Sequence, residues 1–170
     1  MLKAVLLLAA MVFAIATIAP GMLTRATQTD ASGKADEPAI ATAQPDHGGI
    51  VRLQADRRGH YLTEAEINSR PVPVLVDTGA TLIALRYEDA RSMGLINPGD
   101  KFDVRVRTAN GEGRGRLVTL RSVTVGTITV RDVQAMVAEQ GALATNLLGM
   151  SFLKRLARFE VQRGQLVLER

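Results

Sequence analysis

From residue 50 onward, apolar positions recur at the two-residue spacing of half-buried strands, and turn residues break the pattern at short intervals. His60 to Ile67 partly alternates, Asn68-Ser69-Arg70-Pro71 supplies a turn, and Val72 to Val76 returns as an apolar, β-branched run. Thr81 to Leu85 predicts another strand. Tyr87 to Met93 predicts a short helix stopped by Gly94, the residue a helix C-cap favours. Phe102, Val104 and Val106 alternate with Asp103, Arg105 and Arg107 and lead into Thr108-Ala109-Asn110-Gly111, where Asn-Gly is a strong hairpin signal. Strands over Leu117 to Val125, Thr127 to Arg131 and Val133 to Val137 follow, broken near Gly126 and Asp132. A polar loop, Glu139 to Asn146, leads to Leu147-Leu148-Gly149. Phe152, Leu153 and Leu156 then fall at helical spacing within Met150 to Ala157. Two last strands, Arg158 to Gln162 and Gln165 to Leu168, flank an Arg163-Gly164 turn. The pattern is that of an all-β domain, mainly β with short helices, and Leu147, Leu148, Met150 and Phe152 are expected in its core.

The first fifty residues follow a different pattern. Residues 4–23 carry no charge, and at about 1.5 Å per helical residue they are long enough to cross a bilayer core of roughly 30 Å. Lys3 precedes them, and Ala14-Ile15-Ala16 or Thr17-Ile18-Ala19 offers a small-residue cleavage site, so residues 1–23 read as a membrane anchor or a secretory signal. The apolar run continues past both sites to Leu23, which favours a single-pass hydrophobic helix. Lys3 and the amino terminus on one side nearly balance Arg25 and Lys34 on the other, and the folded domain is expected outside the cytoplasm, on the periplasmic side. Residues 24–49 shift to Thr, Ala, Asp, Gln, Pro and Gly, too little apolar surface for a core, and are expected to be a flexible linker. Residues 50–170 remain for one small domain.

Composition removes several kinds of chemistry. The chain has 170 residues and no cysteine, so disulfides, zinc thiolate sites and a cysteine nucleophile are excluded. Its two histidines, His47 and His60, are far from any ligand cluster, and neither a metal nor a cofactor is expected. The formal charge of +4 raises the question of nucleic acid. However, Lys101, Arg105, Arg107, Arg114 and Arg116 are interleaved with Asp103 and Glu112, and the chain has no Trp for stacking, so these read as the solvated face of strands.

The candidate chemistry sits at Asp77. Val72 to Val76 delivers this carboxyl group at a strand end and into Thr78-Gly79-Ala80-Thr81. There, partial desolvation favours a proton shared with a neighbouring acid. Peptide hydrolysis by aspartates needs two carboxyls, one ionised to activate water and one protonated to donate to the carbonyl oxygen. The chain holds no second Asp-Thr-Gly or Asp-Ser-Gly, and Asp56, Glu64, Glu66, Asp89, Asp100, Asp103 and Asp132 all read as solvated. The second carboxyl must then be Asp77 of another copy across a two-fold axis, which makes a homodimer a requirement of the mechanism.

Taken together, Val76-Asp77-Thr78-Gly79-Ala80-Thr81, the Thr108-Ala109-Asn110-Gly111 hairpin, and Asn146-Leu147-Leu148-Gly149-Met150-Ser151-Phe152-Leu153 before a terminal hairpin resemble the retropepsin-like (clan AA) aspartic proteases, in particular their bacterial membrane-anchored group. The resemblance covers about Gly59 to Arg170. It implies an acid protease barrel with one half-site per chain and Asp77 as the catalytic aspartate. Thr78 would bond across the two-fold, and Gly79 would belong to the same loop. Asn110 and Gly111 would form the tip of a flap, a mobile lid in the glycine-rich stretch to Gly115. Leu147-Leu148-Gly149 would be a supporting segment threaded behind the catalytic loop. The implied partners are a second copy and an extended polypeptide substrate. Two other readings stay open: a non-catalytic module of the same fold that holds an extended peptide without cutting it, and a membrane-tethered structural domain in which Asp77 caps a turn.

Overall fold

A computed structural model describes residues 44–46, 49–108 and 111–170. The expected N-terminal hydrophobic helix and membrane segment, residues 4–23, and His47 and Asn110 lie outside the described residues. Among those described, no helix is long and apolar enough to cross a membrane.

Eleven strands and two short helices follow in order: β1 (Gln44–Asp46), β2 (Ile50–Gln54), β3 (Leu62–Ile67), β4 (Arg70–Val76), β5 (Ile83–Leu85), α1 (Tyr87–Ser92), β6 (Val104–Thr108), β7 (Gly111–Val125), β8 (Ile128–Ala138), β9 (Asn146–Leu148), α2 (Met150–Leu153), β10 (Arg158–Gln162) and β11 (Gln165–Glu169). A seven-stranded sheet runs β3-β4-β9-β5-β8-β7-β6, and a further pairing of β3 with β7 closes it into a barrel. A four-stranded antiparallel sheet, β1-β2-β11-β10, adds Val51, Leu53, Leu166 and Leu168 to the same core. The mainly-β expectation holds.

Local chemistry explains the turns. Asn68 and Ser69 take left-handed φ values of 50° and 68°, giving the tight β3–β4 hairpin its primed turn. The turn occupies those two residues alone, and Pro71 already lies in β4. Since Val76 N–H donates to Tyr61 O at 2.9 Å, even-numbered residues of β4 bond to β3 and odd-numbered ones face the other way. Pro71 and Pro73 therefore stand where β3 needs no donor, ahead of the β9 pairing that begins at Val74. At the end of α1, Gly94 at φ 69° donates to Arg91 O while Leu95 donates to Ala90 O, a Schellman closure.

Several expectations need correction. The three strands drawn over 117–137 are parts of one long antiparallel hairpin, β7–β8, that turns at Gly126-Thr127. Asp132, at φ 53°, interrupts the ladder opposite Arg121 without shifting its register. The buried positions change parity there, from Val130 and Ile128 on one side to Val133, Ala135 and Val137 on the other, so the coiled hairpin presents opposite faces to the core along its length. The helix expected to reach Ala157 stops at Leu153, because Ala157 N–H is claimed by Glu169 O in the terminal hairpin. The strand expected from Thr81 starts at Ile83. Part of the 24–49 linker, Gln44–Asp46, pairs with β2 as an edge strand, since backbone hydrogen bonding needs no apolar side chains.

Candidate active site

Strand β4 has two chemically distinct faces. Val72 and Val74 point into the core, whereas Pro73, Leu75 and Asp77 share the opposite face. Following the register from Leu75 across the sheet gives Leu62 on β3, Leu147 on β9, Ala84 on β5, Met136 on β8 and Leu117 on β7. This row of apolar side chains crosses six strands on the face away from the core and lies beside Asp77. Leu62, Leu75, Leu147 and Met136 are half-buried, and Leu117 is 54% exposed. The expectation that Leu147 is plain core is therefore corrected: Leu148 is core, and Leu147 belongs to the outer row.

The loop after β4 is tied down on three sides. Asp77 N–H donates to Leu148 O at 3.1 Å, Asp77 Oδ1 accepts the Gly79 N–H at 2.8 Å, and Ala80 O accepts the Met150 N–H at 2.8 Å. Asp77 is half-buried, while Thr78 and Gly79 are exposed. Behind the loop, β9 threads between β4, to which it is parallel, and β5, to which it is antiparallel. Gly149 follows at once, and a Cβ there would lie 2.1 Å from Leu82 O and 2.7 Å from Ala80 O. Its φ of −93° is open to any residue, so space alone demands glycine.

Two polar side chains that sequence reasoning left without a role hold this arrangement. Ser151 Oγ accepts the Ile83 N–H at 2.9 Å, fixing the exit of the loop. Asn146, 1% exposed, accepts from Arg86 N–H at 2.8 Å and donates to Pro73 O at 3.0 Å and to Asp89 Oδ2 at 2.8 Å, joining β4, the β5–α1 junction and α1. The one sequence signal was an Asn opening an apolar strand. Asp89, expected to be solvated, is partnered by Asn146 and lies 3.7 Å from Arg86, and Asp100 lies 3.5 Å from Arg116.

On the other side of the row, β6 and β7 form the expected hairpin. Val104 pairs with Gly115 and Val106 with Gly113 on one face, and Arg105 pairs with Arg114 on the other. The valines and Gly113 are half-buried, Gly115 is buried, and both arginines are exposed. Gly115 leaves room for Met136, whose Cγ and Sδ would each stand 2.5 Å from an added Cβ. From Gly111, at φ 111°, to Gly115 the glycine-rich stretch pairs with β6 as one arm of that hairpin.

A mainly-β barrel with an Asp-Thr-Gly loop at a strand end, a strand threaded behind it and a hairpin beside it is the retropepsin-like fold. A family model described as "gag-polyprotein putative aspartyl protease" matches residues 63–155, and the chain belongs to that family. Its fold is similar to that of a retropepsin-like aspartic protease from Rickettsia conorii, with a TM-score of 0.63 and 34% identity over 71% of this chain and 89% of that one. In sequence it is 41% identical over 133 residues to an uncharacterized protein of the cobV 5' region in Sinorhizobium sp., covering 77% of this chain and 57% of the relative. It is 36% identical over 120 residues to the uncharacterized protein RP867 of Rickettsia prowazekii, covering 71% of this chain and 51% of the relative. The chain spans about half the length of these two curated relatives.

Proposed function

We propose that the chain is an aspartic endopeptidase that acts as a homodimer, with the Asp77 carboxyls of two copies sharing one proton. The observation that carries this reading is the single Asp77 on a rigid loop whose next two residues are exposed, beside an apolar row suited to an extended peptide. In the reaction the ionised Asp77 takes a proton from water as its oxygen attacks the scissile carbonyl carbon. The protonated Asp77 gives its proton to the carbonyl oxygen, forming a tetrahedral diol. The Asp77 that took the water proton then gives it to the amide nitrogen as the C–N bond breaks, and a diol hydroxyl returns its proton to the other Asp77, which restores the shared proton. Thr78 serves by bonding across the two-fold, and the β6–β7 hairpin covers the peptide, whose backbone adds as a strand. Residues 4–23 anchor the protein in a membrane with this domain outside the cytoplasm.

The test is cleavage of unfolded casein by the purified full chain and by Asp77→Asn, followed through a dilution series with sedimentation in parallel. The expected result is loss of cleavage in Asp77→Asn with the fold retained, and a wild-type specific activity that falls as dimer dissociates. Equal cleavage by both proteins would overturn the mechanism, and constant specific activity where only monomer sediments would overturn the dimer.

A further inference from the structure

The two faces of the β6–β7 hairpin are held at its root by different chemistry. On the face away from the apolar row, Arg116 stands 3.5 Å from Asp100 and donates to Lys101 O at 3.4 Å, which ties the chain entering β6 to β7. The next residue, Phe102, has its ring centroid 5.9 Å from that of Tyr87 on α1. Glu139 N–H donates to Arg114 O at 3.2 Å and carries the β8 ladder up to the same level. On the face of the row, the root is met by Met136.

Met136 pairs with Leu117, yet its Cγ and Sδ lie over Gly115, the diagonal neighbour, which pairs with Ala138 on β8 and with Val104 on β6. Each of the two atoms would stand only 2.5 Å from an added Cβ. Gly115 takes no left-handed φ, so the thioether rather than the backbone conformation demands glycine here. An unbranched side chain can lean that far along the sheet, and a β-branched one cannot. Glycine within a strand brings no side chain of its own to fix the strand's tilt, so the group resting on it does so instead. Val104 and Gly115 share the face of Leu117 and the row, and Val106 and Gly113 continue it along the hairpin.

We propose that Met136 is a positioning residue for the hairpin. By resting on Gly115 it sets how far Val104 and Val106 stand from the apolar row, and so the width of the channel in which the peptide lies. The inference rests on the endopeptidase reading and deepens it, since Met136 acts through the hairpin and takes no part in the chemistry. The chain has no cysteine, so a spin-label pair can be placed by Arg105→Cys on the exposed face of the hairpin and Arg91→Cys on α1, in full-length protein diluted with unlabelled chain so that distances within one copy are read. The label distance is compared among wild type, Met136→Ala, Met136→Leu and Gly115→Ala, and KM and kcat for a casein peptide are measured on the same forms without labels. Met136→Ala removes both atoms over Gly115; it should shift or broaden the distance and raise KM on the order of tenfold, with a smaller change in kcat. Leucine offers a Cγ and a Cδ in their place, so Met136→Leu should recover most of both losses. Gly115→Ala breaks the same contact from the hairpin side and should also move the distance and raise KM. Combining it with Met136→Ala should then add little to KM, because one contact cannot be lost twice. A distance that is the same in wild type, Met136→Ala and Gly115→Ala, or KM losses that multiply in the double variant, overturns this inference and leaves the protease reading standing. Casein cleavage no better for wild type than for Asp77→Asn overturns the protease reading and this inference with it.

Discussion

Gly149→Ala tests the threaded strand directly. The new Cβ would stand 2.1 Å from Leu82 O and 2.6 Å from Leu82 C, whereas real Cβ atoms essentially never approach within 3.0 Å, so the segments must part by about 0.9 Å. Neither side has slack. Met150 N–H is bonded to Ala80 O at 2.8 Å and Asp77 N–H to Leu148 O at 3.1 Å, and a retreat of that size takes the first beyond bonding distance. Overpacking costs about 1–3 kcal/mol and each bond lost about 1 kcal/mol, so the substitution should cost about 2–5 kcal/mol. A domain of this size has about 5–15 kcal/mol in all. With a urea slope of about 2 kcal/mol per molar, the unfolding midpoint should fall by about 1–2.5 M. Because the strain falls on the loop bearing Asp77, cleavage should drop on the order of a hundredfold for an ångström of misplacement. Gly79→Ala is the contrast. Its Cβ would meet the side-chain oxygen of Asp77 at 3.1 Å, which a χ rotation relieves, so it should change activity more than stability. A Gly149→Ala midpoint within about 0.3 M of wild type would refute the close threading.

Two further predictions concern polar groups. Asn146→Ala leaves Arg86 N–H, Pro73 O and Asp89 without their common partner in a buried place, and should cost about 2–4 kcal/mol by chemical denaturation; a loss below about 0.5 kcal/mol would mean the three segments hold together without it. Asp56 is held below its ordinary 3.8 chiefly by the His60 N–H, against an opposing desolvation, with the Arg58 N–H adding a further, smaller lowering. A depressed carboxyl contributes stability above its unfolded value that is lost as pH falls through the folded one, so Asp56→Asn should flatten the stability–pH curve below about pH 4. Carboxyl NMR of wild type should find Asp56 titrating below 3.8, and a value above it would contradict the loop geometry.

Much of the fold was legible because its signals are local. Alternation marked β3, β6 and the terminal hairpin, Gly94 stopped α1, and Asp77-Thr78-Gly79 announced itself within three residues. The failures lie where distant segments compete for the same backbone. Ala157 was lost to the helix because Glu169, twelve residues on, takes its N–H, and the breaks near Asp132 proved to be a change of face within one strand. The site depends on non-local geometry in the same way. Leu147 and Leu148 are chemically alike, and only the register of β9 between β4 and β5 sends one outward to the row and the other into the core. Asn146 and Ser151 carry no pattern of their own, since what makes them matter is the N–H they meet some sixty residues away. The sequence by itself determined the chemistry available, one carboxyl on a turn beside apolar strands. The tertiary structure alone decided what surrounds that carboxyl, because hydrogen-bond register and close packing are properties of pairs of segments that no single segment encodes.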